Sequence, residues 1–159
     1  MSQRRILVYQ DWEAVKADLN SLCAGYTQHG KWNLEQTVRH LNDWLRFPLD
    51  GFQPTPFPMR LMLFGMRATV GKRILRKVLA EGRMRDGLPT APATVYPEAA
   101  EASSEAVAQL LDNIDRFRQH RGPLHPSPLF GAMDKPAAER LQLIHFAHHL
   151  SWLDPELAQ

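Results

Sequence analysis

The stretch Trp32-Asn-Leu-Glu-Gln-Thr-Val-Arg-His-Leu-Asn-Asp-Trp-Leu45 has the pattern of an amphipathic helix with a defined start. Its apolar residues recur every three or four positions, which places them on one face of an α-helix. Asn33, with Gln36 three residues on, resembles a capping box. His40 lies about 40° beyond the Trp44 edge of the apolar arc. We therefore predict a helix over 33–47, with His40 at a boundary position suited to a ligand at the mouth of a cleft.

Four further segments show helical spacing with few β-branched residues, and Asp134 followed by Pro136 suits the start of the last one. The predicted helices cover about 11–28, 33–47, 59–81, 99–120 and 134–153. The twelve prolines cluster between these segments rather than inside them. Residues 4–9 are a weak candidate for a short strand. We predict an all-α single domain over 1–159, with residues 82–98, here called the strap, crossing the helices as an ordered loop.

The composition and the apolar runs of the chain indicate the cellular compartment in which the protein is found. The 159 residues, 44% of them apolar and 23% charged, suit one globular domain with a sizeable core. The longest apolar run, Leu61–Met66, is far shorter than the roughly 20 residues that span a bilayer. The N-terminus has too few aliphatic residues for a signal peptide. Cys23 cannot form an internal disulfide and lies in an apolar helical stretch, which predicts an inert core thiol. We expect a soluble cytoplasmic protein.

Charge is unevenly spread along the chain. Residues 59–85 carry a net charge of +7 and the remainder −5, within an overall charge of +2. A basic helix of this kind either binds an anionic partner or presents a solvated face. No nucleic-acid recognition motif accompanies it, so we expect neither nucleic acid nor a membrane as the partner.

His145 and His149 lie four residues apart on the last predicted helix and therefore project side by side. They fall at the centre of its apolar face, where unsatisfied imidazole nitrogens would be costly. A shared metal ion would satisfy them, and so would a hydrogen-bonded pair of core histidines. His148 points about 60° away from His145 and either supports such a site or merely flanks it.

Other polar residues have two interpretations each. Asp43, one turn after His40, is the nearest carboxylate that could serve as a base or orient a ligand, or it is a surface acid. Arg39 and Arg46 on the same helix could hold a carboxylate substrate, or they are surface charges. The remaining histidines lie near predicted helix ends or in a proline-rich loop, where solvent exposure or capping is expected; these are His29, His120 and His125.

Two of these stretches resemble a known family. The segment from Trp32 to Leu41 is similar to the opening of DinB-like (YfiT-type) four-helix proteins. His145-Phe-Ala-His-His-Leu150 is similar to their closing His-x-x-x-His helix. The segment from His125 to Gly131, and the stretches around Gly71-Lys-Arg73 and Leu88-Pro-Thr-Ala-Pro-Ala93, resemble an uncharacterised branch of that superfamily. In this chain two residues are inserted after His-Pro in the first of these segments. The resemblance covers nearly the whole chain.

The resemblance implies an up-down four-helix bundle with an extra short helix or strap loops, often found as a dimer. It also implies an open three-histidine site for zinc, nickel or a similar divalent ion, with His40, His145 and His149 as the ligands. Some relatives are thiol-dependent transferases or isomerases that use low-molecular-weight thiols, and others have no established activity. The many apolar residues of the third predicted helix also favour a homodimer.

Two function classes follow. The first is a metal-dependent enzyme, a hydrolase or a thiol-dependent transferase, with a small thiol or electrophile as its partner. Three neutral imidazoles leave the ion its full charge and an open position, where a bound water or thiol becomes a nucleophile near neutral pH. The second is a non-catalytic helical binding or structural protein in which the metal is structural or absent. The sequence identifies no catalytic residue beyond the candidate ligands.

Overall fold

The computed structural model describes residues 4–87, 90–97 and 104–156, and these are mostly helical. The α-helices are α1 (Trp12–Ala24), α2 (Leu34–Asp50), α3 (Phe57–Met66), α4 (Lys72–Glu81), α5 (Ser104–Gln119) and α6 (Lys135–Leu150). A π-helical turn, Arg67–Gly71, joins α3 to α4, so that helical residues continue without a gap from one to the other. Two short strands, β1 (Tyr26–Gln28) and β2 (Leu153–Pro155), pair antiparallel, and a 3₁₀ turn spans Pro92–Thr94. The prediction of a mainly helical protein is confirmed.

The main core lies where α1, α2, α5 and α6 meet. Each helix contributes apolar residues at three- and four-residue spacing, so one face of each is withdrawn from water. The largest fully buried side chains include Leu19, Leu41, Ile114, Phe117 and Phe146. A smaller cluster, in which Val78 packs with Leu141 and Ile144, attaches α4 to the other side of α6. Thus α6 is held on two sides, and its histidines lie on a well-supported helix.

Both predicted helix starts are confirmed. Asn33 caps α2 through the backbone N–H of Gln36, and the side chain of Gln36 accepts from the N–H of Asn33, which completes the capping box. Asp134 caps α6 by accepting from the N–H of Ala137. The two helices that carry the candidate ligands therefore begin at defined residues.

The predicted end of the first helix, at about residue 28, was wrong. The helix stops at Ala24 because Gly25, at φ 155°, leaves the helical region, and residues 26–28 form β1 instead. Its partner β2 begins at Leu153, which was predicted to be the last residue of the helix 134–153. Residues 4–9 form no strand. Residues 99–103 of the fourth predicted helix lie outside the described residues.

Cys23 is exposed rather than in the core, which corrects the prediction. The buried face of α1 is formed by Trp12, Val15, Leu19 and Leu22. Cys23 follows Leu22 and is rotated by about 100° from it, toward solvent. Partial burial still raises the pKa of its thiol, so little thiolate forms near neutral pH.

The loop that follows α5 packs on the π-helical turn. Ser127 and Gly131 exchange backbone hydrogen bonds, which closes the loop around Leu129. The backbone of Leu129 comes so close to Gly71 that a Cβ at Gly71 would lie 2.0 Å from the Leu129 carbonyl oxygen. Glycine is therefore required at position 71 for close packing, and the contact joins two segments on which the family resemblance rests.

Helix α3 has no buried residue, although most of its side chains are apolar. Phe57, Leu61 and Phe64 are 78%, 65% and 63% exposed. No helix among the described residues is long and apolar enough to cross a bilayer.

Replacing Gly71 and Gly65 with alanine should have opposite effects on thermal stability. Gly71→Ala forces the Cβ into a carbonyl oxygen and should lower the melting temperature. Gly65→Ala meets no atom within 4 Å. It should stabilise α3 by up to about 1 kcal/mol, because alanine has the higher helix propensity. Melting curves followed by circular dichroism measure both, and equal shifts would contradict the close packing at Gly71.

Candidate metal centre

The candidate site lies between α2 and α6, covered by residues 90–97 of the strap. Two contacts set the register of the helices. His40 meets His145, and one turn further along α2 the carbonyl oxygen of Trp44 accepts from Nε2 of Gln142 at 2.8 Å. The residue number rises along α2 as it falls along α6, so the two helices run in opposite directions through the site.

His40 is buried, with 2% of its surface exposed. Its Nδ1 lies 3.1 Å from the carbonyl oxygen of Thr94. A carbonyl oxygen only accepts hydrogen bonds, so Nδ1 carries the proton and Nε2 presents a lone pair. The predicted boundary position was therefore wrong, because the 3₁₀ turn of the strap covers the side of α2 on which His40 lies.

The three predicted ligands come together. His40 Nε2 lies 3.2 Å from His145 Nε2. One ligand nitrogen from each of His40, His145 and His149 lies within 4.8 Å of the others. The ring centroid of His149 is 4.5 Å from that of His40 and 4.7 Å from that of His145. Among the described residues, no carboxylate or cysteine belongs to this group.

Tryptophans flank the imidazoles on two sides. Trp32 stacks on His149, with centroids 5.4 Å apart and ring planes within 7°, and its ring lies 4.9 Å from that of His40. Trp44 packs edge-on against His145 at 5.7 Å. These rings restrict the orientations of the imidazoles and shield them from water.

Burial lowers the pKa of each histidine in the group. The pKa of His40 falls to about 4, although the hydrogen bond to Thr94 opposes the shift. The pKa of His149 falls to about 2, and that of His145 is also well below its usual value, in both cases chiefly through burial and then through neighbouring histidines. All three imidazoles are therefore neutral near pH 7, which is the form that binds metals.

The donor set fits a divalent ion such as zinc. Two imidazole nitrogens bound at about 2.0–2.1 Å with tetrahedral angles are about 3.3–3.4 Å apart, close to the observed 3.2 Å. The Thr94 carbonyl oxygen accepts the hydrogen bond that a metal-binding histidine usually donates from the nitrogen facing away from the metal. A simple His40–His145 hydrogen bond also explains that distance, but it leaves the convergence of His149 unexplained.

The other candidate residues have different partners. Asp43 accepts a hydrogen bond from the hydroxyl of Tyr96. His148 Nδ1 lies 3.0 Å from Nη2 of Arg4 and therefore accepts from it, while its ring packs against that of His149. Asp43 thus anchors the strap, and His148 links α6 to the N-terminal segment.

The arginines and remaining histidines do not join the group. Arg39 pairs with Glu35 and Arg46 with Asp50, and both arginine side chains are about half exposed, as expected of surface charges. Three histidines lie elsewhere, at a strand end, at the end of α5 and in an exposed loop: His29, His120 and His125.

Sequence reasoning did not find the roles of Thr94 and Tyr96. Thr94 contributes a backbone carbonyl, which leaves no signal in residue type. Tyr96 fixes the strap to α2 through its backbone and its side chain. Its carbonyl oxygen accepts a hydrogen bond from Gln36 Nε2, and its hydroxyl donates one to Asp43. An aromatic residue in a proline-rich loop was the only available hint.

Fold and site together define a mostly helical protein with a group of three neutral histidines, of which His40 is buried and His145 and His149 are half-buried. The family model of the proteins of unknown function DUF1569 matches residues 1–156, and the chain belongs to this family. Searches of the curated proteins and of the solved structures give no match.

The metal-free protein should lose stability as the pH falls from about 6.5 to about 4. In this range the unfolded chain binds a proton at His40, whereas the folded chain does not, because the folded pKa is about 4. The difference corresponds to about 3 kcal/mol for His40 alone. Urea unfolding at several pH values measures it. His40→Leu should make the curve shallower and leave the contributions of His145 and His149. His125→Gln should not change the curve, and a flat wild-type curve would contradict the neutral burial of His40.

Proposed function

We propose that the protein binds one divalent metal ion, zinc or nickel, through His40, His145 and His149, and that the ion keeps at least one open coordination position. The observation that carries the proposal is the convergence of three imidazoles, since one ligand nitrogen from each of His40, His145 and His149 lies within 4.8 Å of the others. It occurs in a protein in which the Thr94 carbonyl already fixes the tautomer of His40. An ion held this way would lower the pKa of a bound water or thiol.

We further propose that the site catalyses a reaction of a small electrophile, and that a thiol-dependent transfer fits it better than hydrolysis. Metal hydrolases commonly use a carboxylate near the metal as a base. No carboxylate belongs to the histidine group in the described residues, and the candidate base Asp43 is engaged by Tyr96. A thiol needs less help than water, since its usual pKa is only about 8.5.

The resemblance to DinB-like proteins supports this proposal. We assign the chain to that superfamily as a proposal, with α1, α2, α5 and α6 as its up-down four-helix bundle and 1–159 as one domain. A thiol co-substrate also suits a reducing cytoplasm, where Cys23 would remain unpaired.

Metal titration tests the proposal. Isothermal titration of tag-free protein with Zn²⁺ or Ni²⁺ should show one site per chain, and either metal should raise the melting temperature because it binds the folded state. Alanine at His40, His145 or His149 should lower the affinity by orders of magnitude. The matched controls His29→Ala and His120→Ala should leave it unchanged.

If all five variants bind the metal with the same affinity, the three-histidine proposal fails. If the metal binds but metal-free and metal-loaded protein consume a thiol and a model electrophile at equal rates, the metal is structural and the enzymatic part of the proposal fails.

We also propose that α3 contacts a second copy of the chain. Its apolar side chains are exposed on a helix with no buried residue. Apolar surfaces of this kind commonly mark interaction sites. The basic segment 59–85 and the net negative remainder give two copies complementary charges.

Charge in the last turn of α3 should separate the two copies. Light scattering should give a dimer mass for the wild type and a monomer mass for Phe64→Glu. Ile6→Glu, which alters an apolar residue that is 96% exposed outside α3, should remain dimeric. A wild-type monomer at high concentration would refute the contact.

A further inference from the structure

A surface cavity of about 470 Å³ lies between the helical segment 68–76 and the loop that follows α5. One wall consists of residues that recur every three or four positions and so share one face of that segment: Ala68, Thr69, Lys72, Leu75 and Arg76. Phe130 and Ala132 of the loop form the other wall. The cavity has the size of a small-molecule site, and the three histidines of the candidate metal centre do not line it.

Close packing fixes the two walls of this cavity relative to each other. The carbonyl oxygen of Leu129 lies against Gly71, and Ser127 and Gly131 exchange backbone hydrogen bonds of 2.9 and 2.8 Å. The helical wall also includes part of the π-helical turn, a rare geometry that is frequent at functional sites. The cavity is therefore formed before a ligand binds, which lowers the entropic cost of binding.

Two cations at the cavity have no acidic partner. Lys72 and Arg76 lie four residues apart on one helix, so their charges are neighbours and repel each other. Neither forms an ion pair among the described residues, whereas Lys77 on the same helix pairs with Glu81 at 3.6 Å. An anion bound in the cavity would relieve the repulsion between the two cations.

The cavity also has apolar surface beside these charges. Leu75 and Phe130 line it, and both are half-buried. The same two side chains pack against the smaller core cluster that includes Val78, Leu141 and Ile144. The core thus holds the apolar part of the cavity in place, where it can cover the apolar body of a ligand.

We propose that this cavity binds a phosphate monoester with an aromatic or aliphatic body. Its phosphate contacts Lys72 and Arg76, and its body packs on Leu75 and Phe130. Two neighbouring cations favour a phosphate, whose charge approaches −2, over a carboxylate with a single charge. The inference gives part of the basic segment 59–85 a function of its own, and it does not rest on the proposed metal site.

Binding of 1-naphthyl phosphate, followed by NMR titration of ¹⁵N-labelled protein at pH 8, tests the proposal. Lys72→Gln and Arg76→Gln should each raise the dissociation constant about fivefold, the effect of one exposed ion pair. Arg73→Gln removes the same charge from a neighbouring residue that does not line the cavity, and it should match wild type. A chelator should leave the affinity unchanged.

Two further probes test the chemistry of the ligand. 1-Naphthoate keeps the aromatic body with a single charge, and inorganic phosphate keeps the charge without the body. Both should bind wild type at least about fivefold more weakly than 1-naphthyl phosphate. Phe130→Ala should weaken 1-naphthyl phosphate and leave inorganic phosphate unchanged, a difference that general damage to the fold would not produce.

Four outcomes would overturn the proposal. Equal affinity for 1-naphthoate would exclude a phosphate site, and equal losses in Arg73→Gln and Lys72→Gln would mean that the overall positive field attracts the probe. Loss of binding with a chelator would place the phosphate at the histidine group. If only a monomer made by Leu61→Glu binds the probe, acidic side chains of a second copy fill the cavity instead.

Discussion

The hydrogen bond from Nδ1 of His40 to the carbonyl oxygen of Thr94 is the interaction on which the candidate site depends. It selects the tautomer of His40 in which Nε2, the nitrogen that faces His145, carries no proton. The carbonyl oxygen that accepts this hydrogen bond belongs to a loop more than 50 residues away in sequence. Without it, the proton of His40 could occupy either nitrogen, and the lone pair needed for a metal would not be assured. The strap is therefore part of the site rather than a simple connection.

The strap can act in this way because α2 holds it at several points. Gln36 contributes to the cap of α2 and also donates to the carbonyl oxygen of Tyr96. Asp43, one turn after His40, accepts from the Tyr96 hydroxyl. The same helix thus presents His40 and fixes the loop that orients it. This explains why Asp43, a candidate base in the sequence, has a positioning role in the structure.

The contrast between helix and loop shows what the sequence allowed us to predict. Local signals were sufficient for the start of α2 at Asn33, the start of α6 at Asp134 and the shared face of His145 and His149, since helix caps and four-residue spacing act over one turn. Contacts between distant segments could not be predicted. The pairing of β1 with β2 takes up residues 26–28, which were predicted to be helical, and the strap buries His40. Both depend on residues that are far apart in the chain and recognised through the backbone.

X-ray absorption at the zinc edge tests the central claim most directly, because it observes the atoms around the ion itself. The account predicts three imidazole nitrogens at about 2.0–2.1 Å and a further light atom from solvent in the open position. Fewer than three imidazoles, or a sulfur at about 2.3 Å, would contradict a site built from His40, His145 and His149.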